Sequence, residues 1–108
     1  MKIPVEESGT ATADANGDAS AKFTNYRAFR WVITRLISVV SGSTTEASLR
    51  VYKNAISTAN QIDSTYTANN AVSGSNEFEL RRGESLIFVW SDATPGATCT
   101  GNIQGSIS

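Results

Sequence analysis

The first place where side chains could do chemistry is a run of alternating oxygen ligands near the N-terminus. Asp14, Asn16 and Asp18 occupy the first, third and fifth positions at which a calcium loop supplies oxygen ligands. The sixth and twelfth positions of such a loop require glycine and a bidentate glutamate, but here they hold Ala19 and Asn25. We therefore expect a tight turn at this position and no metal site.

Two glutamates, Glu77 and Glu79, are the second candidate, because glycosidases use paired carboxylates. Such pairs flank the scissile bond from opposite sides of a cleft. Here the glutamates alternate with Phe78 and Leu80, which predicts a strand with its apolar side inward and both carboxylates in water. An exposed charged face, which also discourages unwanted edge pairing, explains the pair better than catalysis.

The residue types on which most enzymes depend are scarce. The chain has no histidine and one cysteine, Cys99, which excludes histidine acid–base chemistry, Ser-His and Cys-His nucleophile pairs and the common zinc sites. Because free cysteine is usually buried, Cys99 is predicted to be a small core residue. The sequence also lacks a phosphate-binding glycine loop and a nucleophile elbow. We expect a protein that is not an enzyme and uses no cofactor.

The charge balance argues against nucleic acid as a partner. Nine Lys and Arg face ten Asp and Glu, for a net charge of −1. Binding through phosphate neutralisation needs a basic excess or a clustered basic stripe. Arg27, Arg30 and Arg35 are close in sequence but would alternate between the faces of a strand, so they are interpreted as solvated side chains.

Aromatic side chains offer another route to a binding site, as a platform for a sugar ring. The apolar alternation around Trp31 and Trp90 assigns both tryptophans to the core. Tyr66 has no such rhythm and lies in a long polar segment, where tyrosine and asparagine are adaptable hydrogen-bonding residues. The candidate ligand-loop residues are therefore Asp63, Tyr66, Asn69 and Asn70.

The elements that would position these residues are predicted to be strands. Weak helix formers are found throughout, including 14 Ser and 12 Thr. Turn residues interrupt the apolar alternation at short intervals, as in a sandwich or barrel. We predict an all-β fold, an antiparallel two-sheet β-sandwich of about seven to eight strands. Residues 1–8 are predicted to be an extended N-terminal arm, and residues 9–108 a single β-sandwich domain.

Three segments lead to more specific predictions. Asn16-Gly17 between alternating segments favours a β-hairpin over residues 10–23. The longest strand is predicted at Phe29–Ser41, with a bulge near Arg35. Ala55–Asn76 is long and polar, and it is predicted to be a functional loop or to hold a short strand around Gln61–Thr67. The apolar residues expected to share one face of the longest strand are Trp31, Ile33, Ile37 and Val39.

Neither a secretory signal nor a membrane helix is recognisable. The first nine residues, MKIPVEESG, contain no apolar stretch. The longest apolar run, Trp31–Val40, is interrupted by polar residues and is far shorter than the ~20 residues of a membrane helix. We expect synthesis in the cytoplasm and no membrane partner.

Five segments are familiar in combination: Gly9–Thr12 with the Asn16-Gly17 turn, Trp31–Arg35, Val51–Asn54, Asp63–Thr65, and Leu80–Leu86 continuing through Trp90 to Pro95–Ala97. Together they resemble small structural proteins of tailed bacteriophages, especially phages of actinobacteria. The resemblance spans about residues 9–105. Its motifs are turns and core strands, and none of them maps onto catalytic residues.

The resemblance implies a virion component of the minor tail, the neck or the capsid surface, made in the host cytoplasm. Its partners would be other virion proteins, with further copies of the chain in a homo-oligomer or symmetric assembly. The alternative is a carbohydrate-binding or host-adhesion β-sandwich module on the particle surface. The residues predicted to make intersubunit contacts lie in the arm and the Thr/Ala hairpin: Met1, Lys2, Ile3, Pro4, Val5, Thr10 and Thr12.

Overall fold

The structure is a computed structural model that describes residues 3–27, 29–74 and 77–107. Its described residues form nine strands in two antiparallel sheets, which confirms the predicted β-sandwich and adds at least one strand to the predicted number. Within these ranges no helix has the length and apolarity needed to cross a membrane. The strands are β1 (Ile3–Thr12), β2 (Ala19–Thr24), β3 (Trp31–Ser41), β4 (Ser48–Lys53), β5 (Gln61–Thr65), β6 (Asn70–Ser73), β7 (Phe78–Leu80), β8 (Ser85–Ser91) and β9 (Thr98–Ile107).

The two sheets pack face to face around one apolar core. The five-stranded sheet has the order β1-β9-β3, and both β6 and β7 pair with the remaining side of β3. The four-stranded sheet has the order β2-β8-β4-β5. β1 contacts β2 across the sheets, so these two strands close one side of the sandwich. β5 and β6 are edge strands on the opposite side.

The centre of the core is β8, whose alternation was predicted from the sequence. Leu86, Phe88 and Trp90 are fully buried, as expected. Phe88 packs edge-on against Phe23, with ring centroids 5.1 Å apart. Cys99 is also fully buried, as predicted, and burial raises the pKa of its thiol. The thiol is therefore held in its protonated, unreactive form.

One buried hydrogen-bond chain crosses the core between the sheets. Trp90 Nε1 donates to Ser38 Oγ at 2.9 Å, and Ser38 Oγ donates to the carbonyl oxygen of Ala68 at 2.7 Å. A buried tryptophan N–H needs such a partner, because an unsatisfied polar group in an apolar core is costly. These two hydrogen bonds connect β8 to β3 and to the segment between β5 and β6.

The predicted bulge in the longest strand is confirmed, and it changes which residues share a face. The register between β3 and β9 shifts between Ile33 and Arg35. Because strand side chains alternate, one extra residue exchanges the two faces beyond it. Trp31 and Ile33 are buried as predicted, but Ile37 and Val39 point outward. The buried residues after the bulge are Leu36, Ser38 and Val40.

The predicted hairpin over residues 10–23 is wrong, because β1 and β2 belong to different sheets. The connection is a turn in which Asp14 Oδ1 accepts hydrogen bonds from the backbone N–H groups of Asn16 (2.8 Å) and Asp18 (3.0 Å). A two-residue type I′ turn needs positive φ at both central residues, but of Asn16 and Gly17 only Gly17 has it (φ 81°). The turn therefore carries the chain from one sheet to the other.

The described part of the predicted arm is an integral strand. Ile3–Ser8 pair in register with β9, from Ile3 opposite Ile107 to Ser8 opposite Asn102. Pro4 is tolerated because β1 is an edge strand, where a missing N–H breaks no ladder on the outer side. The backbone is extended, but no structural boundary separates residue 8 from residue 9. Met1 and Lys2 lie outside the described residues.

The polar segment 55–76 contains a 3-10 turn at Thr58–Asn60 and the strands β5 and β6. β5 confirms the short strand predicted around Gln61–Thr67, whereas β6 was not predicted. β6 pairs with β3, with Asn70 opposite Val39. The segment thus passes from the four-stranded to the five-stranded sheet. Ser75 and Asn76 lie outside the described residues.

Candidate functional site

A groove lies between the edge strands β5 and β6, on the side of the sandwich opposite β1 and β2. Its volume is about 420 Å³, and residues of β3, β4, β5 and β6 line it. Leu36, Leu49 and Val51 are its buried apolar part. The groove exists because the two sheets separate where β5 and β6 leave their outer edges unpaired.

The structure brings two of the four predicted ligand-loop residues into this groove. Asp63 of β5 and Asn70 of β6 both line it. Tyr66 lies in the connection between these strands and is 80% exposed. Asp63 Oδ1 accepts a hydrogen bond from the backbone N–H of Ser64 at 2.8 Å. The groove thus combines an apolar floor with a carboxylate and an amide, next to an exposed aromatic ring.

Asn69, the fourth predicted ligand residue, has a structural role instead. Its Nδ2 donates to the carbonyl oxygen of Thr45 at 3.0 Å, and its Oδ1 accepts from the N–H of Ala47 at 3.1 Å. Both ends of the amide are therefore engaged in holding the turn before β4. Its side chain is not available to a ligand without breaking that turn.

The chemistry that the groove supports is binding. Asp63 is the only carboxylate among the described residues that line it, and no lysine, arginine, histidine or cysteine accompanies it there. A general acid–base pair needs two titratable groups in reach of one substrate. Backbone edges, hydroxyl groups and one carboxylate are instead suited to an extended polypeptide or a sugar.

Three predicted intersubunit residues lie at the end of the sandwich where β1 begins. Ile3, Pro4 and Val5 border a cavity of about 170 Å³ beside Trp31 and Ile107. Ile3 is 54% exposed, whereas Val5 is buried in the core. Val5 therefore supports the fold, and the exposed Ile3 and Pro4 are available to a partner.

Thr10 and Thr12 lie on the outer side of the five-stranded sheet, in a surface that we call the uncharged face. Thr10 lies beside Thr100 with their hydroxyl oxygens 3.3 Å apart, and Thr100 opposes Val39. Three successive cross-strand rows on this side of the sheet have no charged side chain. These rows, which define the uncharged face, are Thr12–Thr98–Ser41, Thr10–Thr100–Val39–Asn70 and Ser8–Asn102–Ile37–Val72.

The glutamates predicted to be an exposed charged surface are not arranged as a catalytic pair. Glu77 is exposed, while Glu79 accepts hydrogen bonds from Arg81 Nε (2.9 Å) and Arg30 Nη1 (3.4 Å). The hydrogen bond from Arg81 is the main cause that holds the pKa of Glu79 below its ordinary value. A glycosidase acid requires a raised pKa, so Glu79 is shifted in the opposite direction. In the described ranges no three His, Cys, Asp or Glu residues are placed to hold a metal ion.

Sequence analysis missed the loop between β2 and β3, which presents two aromatic side chains to solvent. Asn25 is fully buried, and its Nδ2 donates to the carbonyl oxygens of Phe29 (2.8 Å) and Leu80 (2.9 Å). Its Oδ1 accepts from the N–H of Arg27 at 2.9 Å. Tyr26 and Phe29 are 81% and 62% exposed. The buried asparagine therefore fixes the backbone on both sides of two exposed rings.

A second loop at the same end is also held by a polar side chain. The sequence Arg82-Gly83-Glu84 predicts a tight turn after β7, and the structure confirms it, with Gly83 at φ 85°. Glu84 accepts a hydrogen bond from the N–H of Arg81 at 2.7 Å, which is the main reason its pKa is lowered. Lys53 Nζ lies 3.6 Å from the Glu84 carboxylate. The turn is therefore fixed to the end of β4.

Comparisons with known proteins identify the fold and no family. No protein-family model matches the chain, and the search of curated proteins finds no significant match. A chain from the acidic stable capsid of Helicobacter pylori bacteriophage KHP30 is 14% identical, with a TM-score of 0.54, over 98% of this chain and 93% of that chain. At this identity the likeness shows a common fold.

Two further solved structures are less similar. The Drosophila NLP-core, whose structure concerns pentamer formation and histone binding, is 16% identical with a TM-score of 0.47, over 95% of this chain and 97% of that one. A pilus subunit of Bacillus endospore appendages, which form disulfide-linked pili, is 13% identical with a TM-score of 0.42, over 100% and 92%. Neither likeness is strong enough to support an argument about function.

Proposed function

We propose that this chain is a non-enzymatic structural protein of a bacteriophage virion, a capsid decoration or a neck or tail accessory module present in many copies. The uncharged face is the observation that carries the proposal. Charged residues are depleted at the centres of protein interfaces, because burying them is costly. The whole-chain likeness in fold to a phage capsid chain supports the same proposal.

The composition of the uncharged face suits contact with another protein. Val39 and Val72 are 44% and 57% exposed, and Ile37 lies opposite Val72 in the neighbouring strand. The flanking threonines offer methyl groups and hydroxyl groups that can pair with a partner's backbone. The face includes Thr10 and Thr12, two of the predicted intersubunit residues.

The test is whether the chain is part of purified particles and whether the uncharged face holds it there. Quantitative mass spectrometry of density-purified virions should find the chain in multiple copies. We expect Thr10→Asp to reduce incorporation at least about tenfold, because it places a charge in the middle of the contact. Ser20→Asp, on the exposed side of β2, is the matched control and should incorporate normally. A chain abundant in the lysate but absent from particles would overturn the proposal.

A second function, binding of carbohydrate at the particle surface, is favoured by the groove. Asp63 and Asn70 line it, and Tyr66, in the connection between β5 and β6, is exposed. A protein binds a sugar in two ways. An aromatic side chain packs against the apolar side of the sugar ring, and polar groups of the protein exchange hydrogen bonds with the sugar hydroxyl groups. The polar groups come from β5 and β6, and the aromatic ring comes from the connection between these strands.

Glycan-array binding of the purified chain tests this second function. We expect Tyr66→Ala to reduce binding of any retained glycan by about tenfold, since one aromatic contact contributes on the order of 1–2 kcal/mol. Tyr26→Ala is the matched control, because Tyr26 is equally exposed but lies at the opposite end of the sandwich. Equal losses in both variants, or no bound glycan, would rule the groove out as a sugar site.

A further inference from the structure

The charges of this chain are separated along the long axis of the sandwich. Strands of ten or eleven residues span roughly 35 Å, so the 43 Å dimension runs along the strands. At one end are the loops 13–18, 42–47, 66–69 and 92–97, which we call the acidic end. At the other are the loops 25–30, 54–60 and 81–84 with the strand termini beside them, which we call the basic end. Within the basic end, Ala28 lies outside the described residues.

The acidic end carries carboxylates and no cation. Asp14, Asp18, Glu46 and Asp92 lie in its loops, and all four are exposed. Those loops contain no lysine or arginine, so their formal charge is −4. Among the described residues none of the four carboxylates is in an ion pair. Their charge is therefore not neutralised by an ion pair with any described residue.

The basic end has the opposite charge. It holds five of the nine cations against the carboxylates of Glu79 and Glu84. Glu6 and Glu7 of β1 border the cavity beside Arg27, and counting them leaves a formal charge of +1. Arg27 and Arg82 are exposed and are in no ion pair among the described residues. The five cations are Arg27, Arg30, Lys53, Arg81 and Arg82.

Both ends also present exposed aromatic rings. Tyr26 and Phe29 are exposed at the basic end, where Asn25 holds their loop, and Tyr66 is exposed at the acidic end. Tyrosine and arginine dominate binding energy at protein interfaces, and loops that are already ordered lose little entropy on binding. Arginine above an exposed tyrosine ring adds a favourable cation–π contact.

We infer that copies of this chain associate head to tail, with the basic end of one copy on the acidic end of the next. The two ends lie about four Debye lengths apart at physiological salt, so they act as independent patches rather than cancelling each other. A second copy is the partner that presents a complementary surface of matching size. The contact joins two different patches, so repeated copies form a ring or an open column. The inference rests on the proposed function, which places many copies of this protein in one particle, and it adds the contact that links those copies.

Sedimentation velocity of the purified chain tests the contact in solution. We expect the mass to rise with concentration in 50 mM NaCl, and association to weaken at least about tenfold in 500 mM NaCl. Two double variants remove one end each: Asp18→Lys with Glu46→Lys, and Arg27→Glu with Arg82→Glu. None of the four side chains is in a described hydrogen bond or ion pair, so both variants should fold. Each variant alone should be monomeric.

Mixing the two double variants gives the sharpest result. Each retains one intact end, so the mixture should form heterodimers and nothing larger. Lys22→Glu with Arg50→Glu, on the exposed side of the four-stranded sheet, makes the same charge change as the arginine variant and should associate like the wild type. A monomeric wild type at low salt, or association unchanged in both end variants, would overturn the inference. Either result leaves virion incorporation through the uncharged face intact, so the two proposals fail separately.

Discussion

Replacing Asn25 with alanine should destabilise the protein by about 3 kcal/mol and loosen the loop that carries Tyr26 and Phe29. The substitution removes two donated hydrogen bonds and one accepted one from a fully buried position. The carbonyl oxygen of Leu80 would lose its bond from Asn25 in the interior, where an unpaired polar group costs about 1–3 kcal/mol.

Two measurements distinguish this outcome from a general weakening of the fold. Thermal unfolding should shift downward by roughly 10–20 °C, which corresponds to that free energy for a domain of this size. At 25 °C, limited trypsin digestion should cut at Arg27 or Arg30 faster than in the wild type, because the loop is no longer held. Asn16→Ala, an exposed asparagine with no described side-chain hydrogen bond, should change neither. A variant with normal stability and normal cleavage would show that Asn25 does not organise the loop.

The strands that sequence analysis located best are those with strong alternation between clear turns. The sequence pattern predicts strands at Ser85–Ser91 and Thr98–Ile107. β8 and β9 have these bounds, because Gly83 and Pro95-Gly96 reverse the chain beside them. Burial of large side chains then fixes which face points inward. Local pattern and tertiary packing favour the same structure in these strands, so prediction succeeded there.

The hairpin failed because a local turn signal competed with tertiary pairing. The Thr/Ala segments before and after Asn16-Gly17 have small side chains, which gain little by pairing with each other. β1 instead pairs with β9 along ten residues, and β2 places Phe23 against Phe88 in the core. Asp14 then satisfies two backbone N–H groups in the turn. The carboxylate that suggested a calcium ligand is part of this structural turn.

The groove and the two charged ends depend on strand order, which the sequence does not display. Asp63 and Asn70 were selected as members of one polar loop, but they belong to two strands in different sheets. The carboxylates of the acidic end are distributed from Asp14 to Asp92 along the chain. In an antiparallel sandwich the turns alternate between the two ends, so residues far apart in sequence gather at one end. A net charge of −1 therefore does not show how unevenly the charges are divided between the two ends.

Replacing Gly105 with alanine should destabilise the protein by at least about 3 kcal/mol, the largest effect of any glycine-to-alanine change in β9. A Cβ atom at this position would lie 2.0 Å from the carbonyl oxygen of Val32 and 2.8 Å from Ile33 Cα. Both contacts are with the backbone of β3, so no side chain can rotate away. Gly101 also lacks room, but there the neighbours are ring atoms of Phe88 and Trp90 rather than backbone.

The reason for this close approach is the bulge that sets the faces of β3. Gly105 pairs with Ile33 immediately before the register shift, so it lies next to the bulge. Alanine would push β3 and β9 apart in the middle of the five-stranded sheet and so break the ladder that the uncharged face depends on. Urea unfolding should show the loss as a lower midpoint with an unchanged slope. Gly74→Ala is the control, since its Cβ would lie 3.7 Å from the Thr34 carbonyl oxygen, an ordinary contact, and should change stability by less than about 0.5 kcal/mol. If the Gly105→Ala and Gly74→Ala variants are equally stable, the backbone of β3 does not approach Gly105 as closely as the structure shows.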